Sequence, residues 1–458
     1  MLEWRNSLKL KLLYRQYSIY LDEIDILSES KGDNRMDSRI KELIELTKTK
    51  FGLNNYYLQR HQFDRSVNIF NETVYTLSME WFPDHVTVQE DGDSNPEGTA
   101  SIEVNLKNCT FNSAIFVMGK SYAENGIMFV SRHKEEIIKW VEDETGLTYG
   151  KQFQIHKERE GEVYFKECID GVAVSPSGSI EVKFDQEGKL TFFAVHGQFP
   201  SKEIVKEETY LLSLEKVEHL AKDQLKLIEY PSFEQKKLFS VYAVEEVYVT
   251  NDQMETIPFE IFVDVRSYLQ INKTMYWDKP INQSFDRKEL RWIEDISAEQ
   301  AFSCEPSPDS FPISKITQEK CLKVVNDLLR QEYPEDSGNW ILKTLHRDKG
   351  YIQAILRANK QDNRVFQRKL MIMIDAKSLH VVNYMDNKPM LEVFDQFQAP
   401  KKVTISKEEA FEKVKELFEL KPYYVYDFDR KQYVLCGKFD CDYGVNASSG
   451  EVIALGDL

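Results

Sequence analysis

Apolar residues recur at helical spacing in two stretches that each follow a hydroxyl residue. From Thr317 and from Ser406, apolar side chains stand at positions 4, 5, 8, 11 and 12, which places them on one broad stripe of a helix. Ser406 and Glu409 also have the spacing of a capping box. The pattern predicts one helix that begins at Thr317 and another that runs from Ser406 to Leu420, each with one face packed on a sheet.

Three further stretches are also predicted to be helical, and strand-like runs of apolar and β-branched residues follow each of them. These helices are predicted from Asp37 to Gly52, from Ser131 to Gly146 and from Leu214 to Ile228, with a short helical turn at Ser297–Phe302. The strand-like runs are bounded by Gly, Pro, Asn and Asp, which is typical of strands that end in tight turns. The predicted strands are Tyr56–His61, Val74–Phe82, Ala100–Leu106, Ala114–Met118, Glu162–Cys168, Val172–Val174, Ile180–Phe184, Leu190–Val195, Phe239–Val249, Ile257–Val265, Trp340–Leu345, Tyr351–Asn359, Gln367–Ile374, His380–Tyr384, Tyr423–Phe428 and Tyr433–Phe439.

The predicted units close on similar hairpins. Ile374–Val382 and Val445–Ile453 each contain a strand, an Asp or Asn that can bond its own backbone in a turn, and a second strand. The sequence therefore predicts an α+β fold of five tandem units, each a helix packed on an antiparallel β-sheet. The predicted division is a helical lead-in at 1–34, units at 35–122, 131–200, 205–277, 314–390 and 403–458, and a proline-containing linker at 278–313 between the third and fourth units.

Composition disfavours several classes of partner. The 458 residues include 59 Lys plus Arg and 76 Asp plus Glu, a net charge of −17, and no stretch gathers a large basic patch. Nucleic acid and anionic membranes are therefore not expected partners. Charges interrupt every apolar run at the N-terminus, which predicts neither a signal peptide nor membrane insertion, and hence a cytoplasmic protein. The six cysteines form no CxxC pair, so neither a zinc site nor a disulfide scaffold is predicted.

One stretch matches the permissive form of a phosphate-loop pattern, from Ala114 through Gly119 to Lys120 and Ser121. A phosphate loop needs small residues whose N–H groups face the phosphate, followed by a helix. The four residues before Gly119 are bulky and apolar instead, and no helical pattern follows Ser121. We predict a strand that ends in a turn, and no nucleotide site.

An acidic loop resembles the start of a calcium-binding loop. Asp91, Asp93 and Asn95 alternate as hard oxygen ligands do in such loops. Pro96 stands where the sharp turn requires glycine, and Ile102 stands where a bidentate glutamate is needed. We predict an acidic hairpin loop and leave weak calcium binding as the alternative.

A second candidate metal site lies on the third predicted helix. Glu215, His219 and Asp223 are spaced four residues apart, so their side chains would share one helix face. Lysines flank all three positions. This distribution is typical of a solvated charged face, which is the interpretation that we favour.

Carboxylates gather near a thiol in the last unit, at Asp440-Cys441-Asp442, with Asp427 and Asp429 on the neighbouring run. Paired carboxylates can perform acid–base chemistry where burial separates their pKa values. Strand alternation would place Asp440 and Asp442 on one face, which predicts an exposed strand face instead. The sequence also lacks Gly-x-Ser-x-Gly and His-Glu-x-x-His, which lowers the expectation of an enzyme.

A helix followed by an antiparallel sheet that closes on an Asp-Ala-x-x-Gly-Glu hairpin resembles the PepSY domain. The order of units is similar, more closely, to the YcdB/YcdC-type repeat proteins of Gram-positive bacteria. The first unit departs most, because its closing run at 104–110 lacks Asp-Ala and Gly. The stretches that carry the resemblance are Ile169–Val174 with Gly178–Asp185, Trp340 ahead of Met373–Ala376, and Ser406–Ala410 ahead of Asn446–Glu451.

The resemblance implies tandem PepSY-like units and a family of undefined function. PepSY modules are associated with peptidase propeptides and have been proposed to restrain proteases, and relatives often carry export signals. We expect a non-enzymatic interaction or regulatory protein that binds a peptide or protein through concave sheet faces or exposed strand edges, with a peptidase as a candidate partner. The alternatives are a hydrolase with a site assembled between units and a structural role in a cell-surface or sporulation-type assembly. No catalytic, cofactor-binding or metal-binding residue is predicted.

Overall fold

The computed structural model describes residues 36–86, 95–199, 201–244, 246–252, 255–258, 269–292, 294–359 and 363–458. Within these residues the chain forms seven α-helices, 22 β-strands and several short 3-10 turns. The helices pack on antiparallel sheets, which confirms the predicted α+β class. None of the helices in these ranges combines the length and apolar character that crossing a bilayer requires.

Polar caps define several helix ends. The predicted capping box is confirmed, because Ser406 accepts a hydrogen bond from the backbone of Glu409 and Glu409 bonds back to Ser406. A second box, at Ser297 and Gln300, starts the short predicted turn. The helices are α1 (Ser38–Phe51), α2 (Lys134–Thr145), α3 (Leu214–Gln224), α4 (Ala298–Phe302), α5 (Lys315–Glu332), α6 (Lys388–Leu391) and α7 (Lys407–Val414).

Three predicted helix ends are wrong. Helix α5 begins after Ser314, which caps the backbone N–H of Thr317, so Thr317 lies in the first turn and not at the cap. Helix α3 ends at Gln224 because the next residues pair in a strand ladder with residues up to Val244. Helix α7 ends at Val414, and one 3-10 turn then leads into a strand that begins at Glu419.

The longest sheet contains 13 strands and runs across most of the molecule. Its spatial order is β1-β2-β3-β4-β9-β8-β6-β7-β19-β20-β12-β13, with β5 paired to β6. Neighbouring described strands run antiparallel except β7 and β19, which run parallel. The strands are β1 (Tyr56–Val67), β2 (Thr73–Pro83), β3 (Ala100–Asn105), β4 (Phe111–Phe116), β5 (Phe153–Arg159), β6 (Glu162–Ile169), β7 (Val172–Ser175), β8 (Ser179–Phe184), β9 (Leu190–His196), β12 (Val247–Thr250), β13 (Thr256–Pro258), β19 (Glu419–Asp427) and β20 (Gln432–Asp440).

Two smaller sheets complete the fold. A four-stranded sheet has the order β10-β11-β21-β22, and a five-stranded sheet has the order β14-β15-β16-β17-β18. Beyond Pro258, the predicted strand Ile257–Val265 lies outside the described residues. The strands are β10 (Leu225–Ser232), β11 (Lys237–Val244), β21 (Tyr443–Asn446), β22 (Val452–Ala454), β14 (Leu269–Met275), β15 (Trp340–Asp348), β16 (Tyr351–Ala358), β17 (Lys369–Asp375) and β18 (Val381–Asp386).

Strands from distant parts of the chain meet in one region, which we call the seam: β7, β19, β20 and β12. Strand β20 pairs with β12 through Val247 and Phe439, and β19 pairs with β7 through Tyr424 and Val174. Strand β21 likewise pairs with β11. The ladders thus connect residues assigned to the second, third and fifth predicted units, whose boundaries stay predictions.

Six of the seven described helices cover an apolar sheet face, whereas α6 buries none of its residues. Helices α1 and α2 pack on the long sheet, and α3 and α7 share a second core around Val445. Helix α5 packs Val325 and Leu328 against the five-stranded sheet. The stretch predicted as a linker also contributes, because α4 buries Ala301 in the core under β1 and β2. The helix-on-sheet arrangement leaves the edges of the sheets as the places where backbone groups can be open.

Candidate peptide-binding groove

The outer edge of β14 is open among the described residues. Strand β14 is the first strand of the five-stranded sheet and pairs only with β15 on its inner side. The opposite edge is covered, because the Lys288 N–H donates to the Val382 carbonyl and the Asn383 side chain donates to the Lys288 carbonyl. An open edge presents unpaired backbone donors and acceptors, which makes it a template for another strand.

Backbone direction identifies the groups that face outward at this edge. The Met275 carbonyl accepts a 2.9 Å hydrogen bond from the Gly338 N–H on the β15 side. Alternate residues of a strand direct their backbone groups to opposite sides, so Thr274 and Tyr276 direct theirs away from β15. The Tyr276 carbonyl confirms this direction, because it accepts a 2.9 Å bond from the side chain of Asn326 on α5. The Thr274 N–H and C=O therefore face the outer edge.

A β-bulge limits the open edge to the C-terminal half of β14. The register with β15 shifts between Gln270 and Lys273, and Asn272 adopts a left-handed conformation with φ of 48°. The Asn272 side chain accepts a 3.3 Å bond from Lys343 on β15, which holds the bulge. A bulge interrupts strand pairing and increases local twist. The regular part of the edge thus runs from Lys273 to Met275.

Helix α5 forms the second wall of a groove along this edge. One face of α5 buries Cys321, Val325 and Leu328 on the sheet. The neighbouring face turns Leu322, Lys323 and Asn326 toward the edge of β14. The space between them is about 300 Å³ and is lined by Lys273, Thr274, Met275, Tyr276, Leu322, Lys323 and Asn326. We call this space the β14–α5 groove.

Two lysines line the groove, one on each wall. Lys273 pairs in register with Leu342, and Met275 pairs with Trp340, so both share the sheet face that α5 covers. Lys323 projects from α5 itself. Both lysines are exposed, and neither forms an ion pair within the described part of the chain. The lining residues contain no carboxylate.

The seam contains a buried cluster of charged side chains, which the sequence did not predict. Lys438 on β20 is 5% exposed, and its ammonium lies 3.0 Å from a carboxylate oxygen of Asp440 and 3.6 Å from one of Glu246. Burial lowers the pKa of Lys438, but the two carboxylates outweigh it and leave the pKa above its ordinary value. Alternation along β20 could have placed Lys438 and Asp440 on one face. No local spacing connects either residue with Glu246.

A second buried carboxyl lies where β6 meets the seam. Glu167 is 1% exposed, and one of its oxygens accepts a 2.7 Å bond from the Gly178 N–H. The other oxygen has no hydrogen-bond partner among the described residues. Burial raises the pKa of Glu167 to about 8, so the group is largely neutral at neutral pH. The packed surroundings indicate a structural role for this carboxyl.

The phosphate-loop stretch forms a turn, as predicted. Val117–Gly119 is a 3-10 turn, and no α-helix begins at Lys120 or Ser121. The Lys120 ammonium pairs with the Glu97 carboxylate, so its positive charge is already neutralised and is not free for a phosphate. The arrangement lacks the helix N-terminus on which phosphate binding depends.

The two candidate metal sites have different outcomes. Asp91 and Asp93 lie outside the described residues, and Asn95 alone of that set is described, so calcium binding there stays a prediction. Glu215, His219 and Asp223 are all exposed on α3. The described residues contain no group of three His, Cys, Asp or Glu side chains that could hold a metal ion.

The acidic residues around Cys441 are divided among separate structural roles. Asp440 ends β20 and bonds the Cys441 N–H, whereas Asp427 caps a turn through the N–H groups of Asp429 and Arg430. The strand ends at Asp440, so the predicted alternation to Asp442 is wrong. Burial raises the pKa of the Cys441 thiol to about 11.

A hydrolase site between units would require a histidine beside a carboxylate and a nucleophile. All eight histidines lie in the described ranges, and none of them is buried. The lining of the β14–α5 groove contains no histidine. The described geometry therefore adds no support to this alternative, which stays a prediction.

No protein-family model matches the sequence, and no curated protein is similar to it. A distant structural neighbour is the Bacillus megaterium YpeB C-terminal domain, with 8% sequence identity and a TM-score of 0.24. The match covers 78% of this chain and 99% of that domain. A likeness at this TM-score carries no argument about function, and the YcdB/YcdC-type resemblance stays a prediction.

Proposed function

We propose that this protein is a non-enzymatic binding protein that holds an extended peptide segment in the β14–α5 groove. The observation that carries the proposal is the outward-facing backbone of Thr274 beside a helix wall. Peptides bind in this way by adding a strand to an open sheet edge, where main-chain hydrogen bonds give affinity and side-chain pockets give specificity. The resemblance to PepSY modules adds a peptidase as one class of partner that could present such a segment.

The geometry of the groove suits one added strand. Its regular edge from Lys273 to Met275 offers the N–H and C=O of Thr274 to a ligand backbone. The apolar side chain of Leu322 lines the helix wall of the groove. A bound strand would cover this side chain, which adds apolar burial to the backbone bonds.

The test uses substitutions that separate the Thr274 backbone from its side chain. Proline at 274 removes the outward N–H without removing a bond to β15, and alanine keeps the N–H. The probes are four fluorescein-labelled octapeptides in which Val alternates with Thr, Gln, Glu or Lys. We expect binding of at least one probe by fluorescence anisotropy, weakened about tenfold or more by Thr274→Pro and less than twofold by Thr274→Ala.

Circular dichroism melting checks that both variants stay folded. Equal affinities of folded Thr274→Pro and Thr274→Ala for every bound probe would show that the edge is not used. Failure of the wild-type protein to bind any of the four probes would also reject the proposal.

A further inference from the structure

We infer that the β14–α5 groove selects extended segments with acidic side chains on the face that meets α5; this inference rests on the function proposed above. The carrying observation is the pair of exposed lysines, Lys273 and Lys323, on opposite walls of one groove without a carboxylate between them. The occupant to which we commit is an acidic segment of another protein in extended conformation.

The lysines are placed to meet one face of an added strand. Lys273 shares its sheet face with Met275, and that face is the one that α5 covers. In a strand paired to β14, side chains at alternate positions would point to this same side. The ammonium groups of Lys273 and Lys323 can therefore meet carboxylates two residues apart, with the intervening side chain turned to the opposite face.

The positive charge of the two lysines must act at short range, because the net charge of the whole chain is negative. A net charge of −17 repels an acidic ligand at long range. At physiological ionic strength such repulsion is screened beyond about 8 Å, whereas a carboxylate in the groove lies within a few ångströms of the two ammonium groups. The specificity of the groove thus follows from its own lining rather than from the net charge.

Within the described residues, neither lysine has an ion-pair partner that a ligand would have to displace. Many other lysines of this chain pair with acidic neighbours, as Lys415 does with Glu412 and Lys189 does with Glu187. Lys273 and Lys323 have no such pair in the described ranges. An incoming carboxylate would therefore gain two ammonium partners without breaking an existing ion pair.

The experiment compares the Glu octapeptide with the Gln octapeptide, which have the same length and alternation. We expect the wild-type protein to bind the Glu probe about three- to tenfold more tightly at 0.15 M NaCl, as two exposed ion pairs would give. The double variant Lys273→Gln with Lys323→Gln should equalise the two affinities. The control Lys377→Gln removes an exposed charge from the β17–β18 turn of the same sheet and should leave the preference unchanged.

Salt gives an independent readout, because raising NaCl to 0.5 M should shrink the Glu preference and leave the Gln affinity nearly constant. Equal wild-type affinity for both probes, or tighter binding of the Lys probe, would overturn the acidic selectivity. If Thr274→Pro still weakened the binding of these probes, the proposed peptide-binding function would stand without the acidic selectivity. If the wild-type protein bound no probe, both proposals would fall.

Discussion

The five-stranded sheet and the seam are built in opposite ways. Strands β14 to β18 follow one another both along the chain and across the sheet, and their core under α5 is formed by apolar side chains. The seam joins strands from three distant stretches and buries Lys438 beside Glu246 and Asp440. Among the described residues, the five-stranded sheet ends in an open edge at β14, whereas every seam strand has a neighbouring strand on both sides.

This difference suggests that the two regions have different roles: the five-stranded sheet can bind a partner, and the seam holds distant parts of the chain together. A locally built sheet folds around its own apolar core and can leave one edge open for a partner. A sheet assembled from distant segments must select the correct neighbour at each edge. Buried ion pairs contribute little to net stability, but an unpaired buried charge is costly, so we expect the cluster of Lys438, Glu246 and Asp440 to disfavour wrong strand registers.

Removing the seam cation should have the largest effect on stability. Lys438→Met leaves the buried Glu246 and the half-buried Asp440 without their ammonium partner, and we expect a loss of about 3–5 kcal/mol in the free energy of unfolding. Urea unfolding followed by circular dichroism measures it. The double variant Lys438→Met with Glu246→Gln should recover part of the loss. A loss below about 1 kcal/mol for the single variant would mean that the charges are not coupled.

In the five-stranded sheet, truncation of a buried apolar side chain should cause the largest loss in the free energy of unfolding. Leu328 is buried on α5 and Leu322 lies half-exposed at the groove, so the two positions form a matched pair. Leu328→Ala should cost about 2–5 kcal/mol, and Leu322→Ala clearly less. Trp340 in the same core supplies a fluorescence signal for urea unfolding. Equal losses at both positions would contradict the assigned packing of α5.

Stability should also depend on pH through Glu167, which lies on β6 beside the seam. Its folded pKa of about 8 exceeds the ordinary value of 4.5, so the folded state holds a proton that the unfolded state has lost. Stability should therefore fall as pH rises from about 5 to 8 and level off above that range. Glu167→Gln keeps an acceptor for the Gly178 N–H and should flatten this part of the profile. Denaturant midpoints from pH 5 to 9 measure it, and parallel profiles for the two proteins would refute it.

The smallest expected effect concerns the covered edge of the five-stranded sheet. Asn383→Ala removes the side-chain bond to the Lys288 carbonyl and should cost about 1 kcal/mol locally. We expect faster hydrogen exchange of the Lys288 amide, which donates to the Val382 carbonyl. The matched change Asn326→Ala, at the open edge, should leave that amide unchanged. Unaltered exchange at Lys288 in Asn383→Ala would show that the cover does not depend on this side chain.

Local patterns were sufficient for the α+β class and for features such as the Ser406–Glu409 capping box, because neighbouring residues determine them. The pairing of β12 with β20 could not be predicted, since no spacing connects Val247 with Phe439. Strand β14 was also missed. The alternation of Leu269 and Ile271 with polar residues was a signal for it, but the bulge at Asn272 interrupts that pattern. The groove depends on this strand, so the sequence indicated an exposed edge in general without locating it.

The seam also determines the order of events during synthesis. Strands β7 and β12 leave the ribosome long before β19 and β20, which supply their missing neighbours. Each of the two early strands therefore carries an uncovered edge until residues 419–440 have emerged, and such edges favour aggregation. A nascent chain stalled between residues 386 and 419 already contains every strand of the five-stranded sheet. It still lacks β19 and β20, so we expect it to depend on chaperones. Synthesis of β19 and β20 is thus needed before the nascent protein is released from cellular quality control.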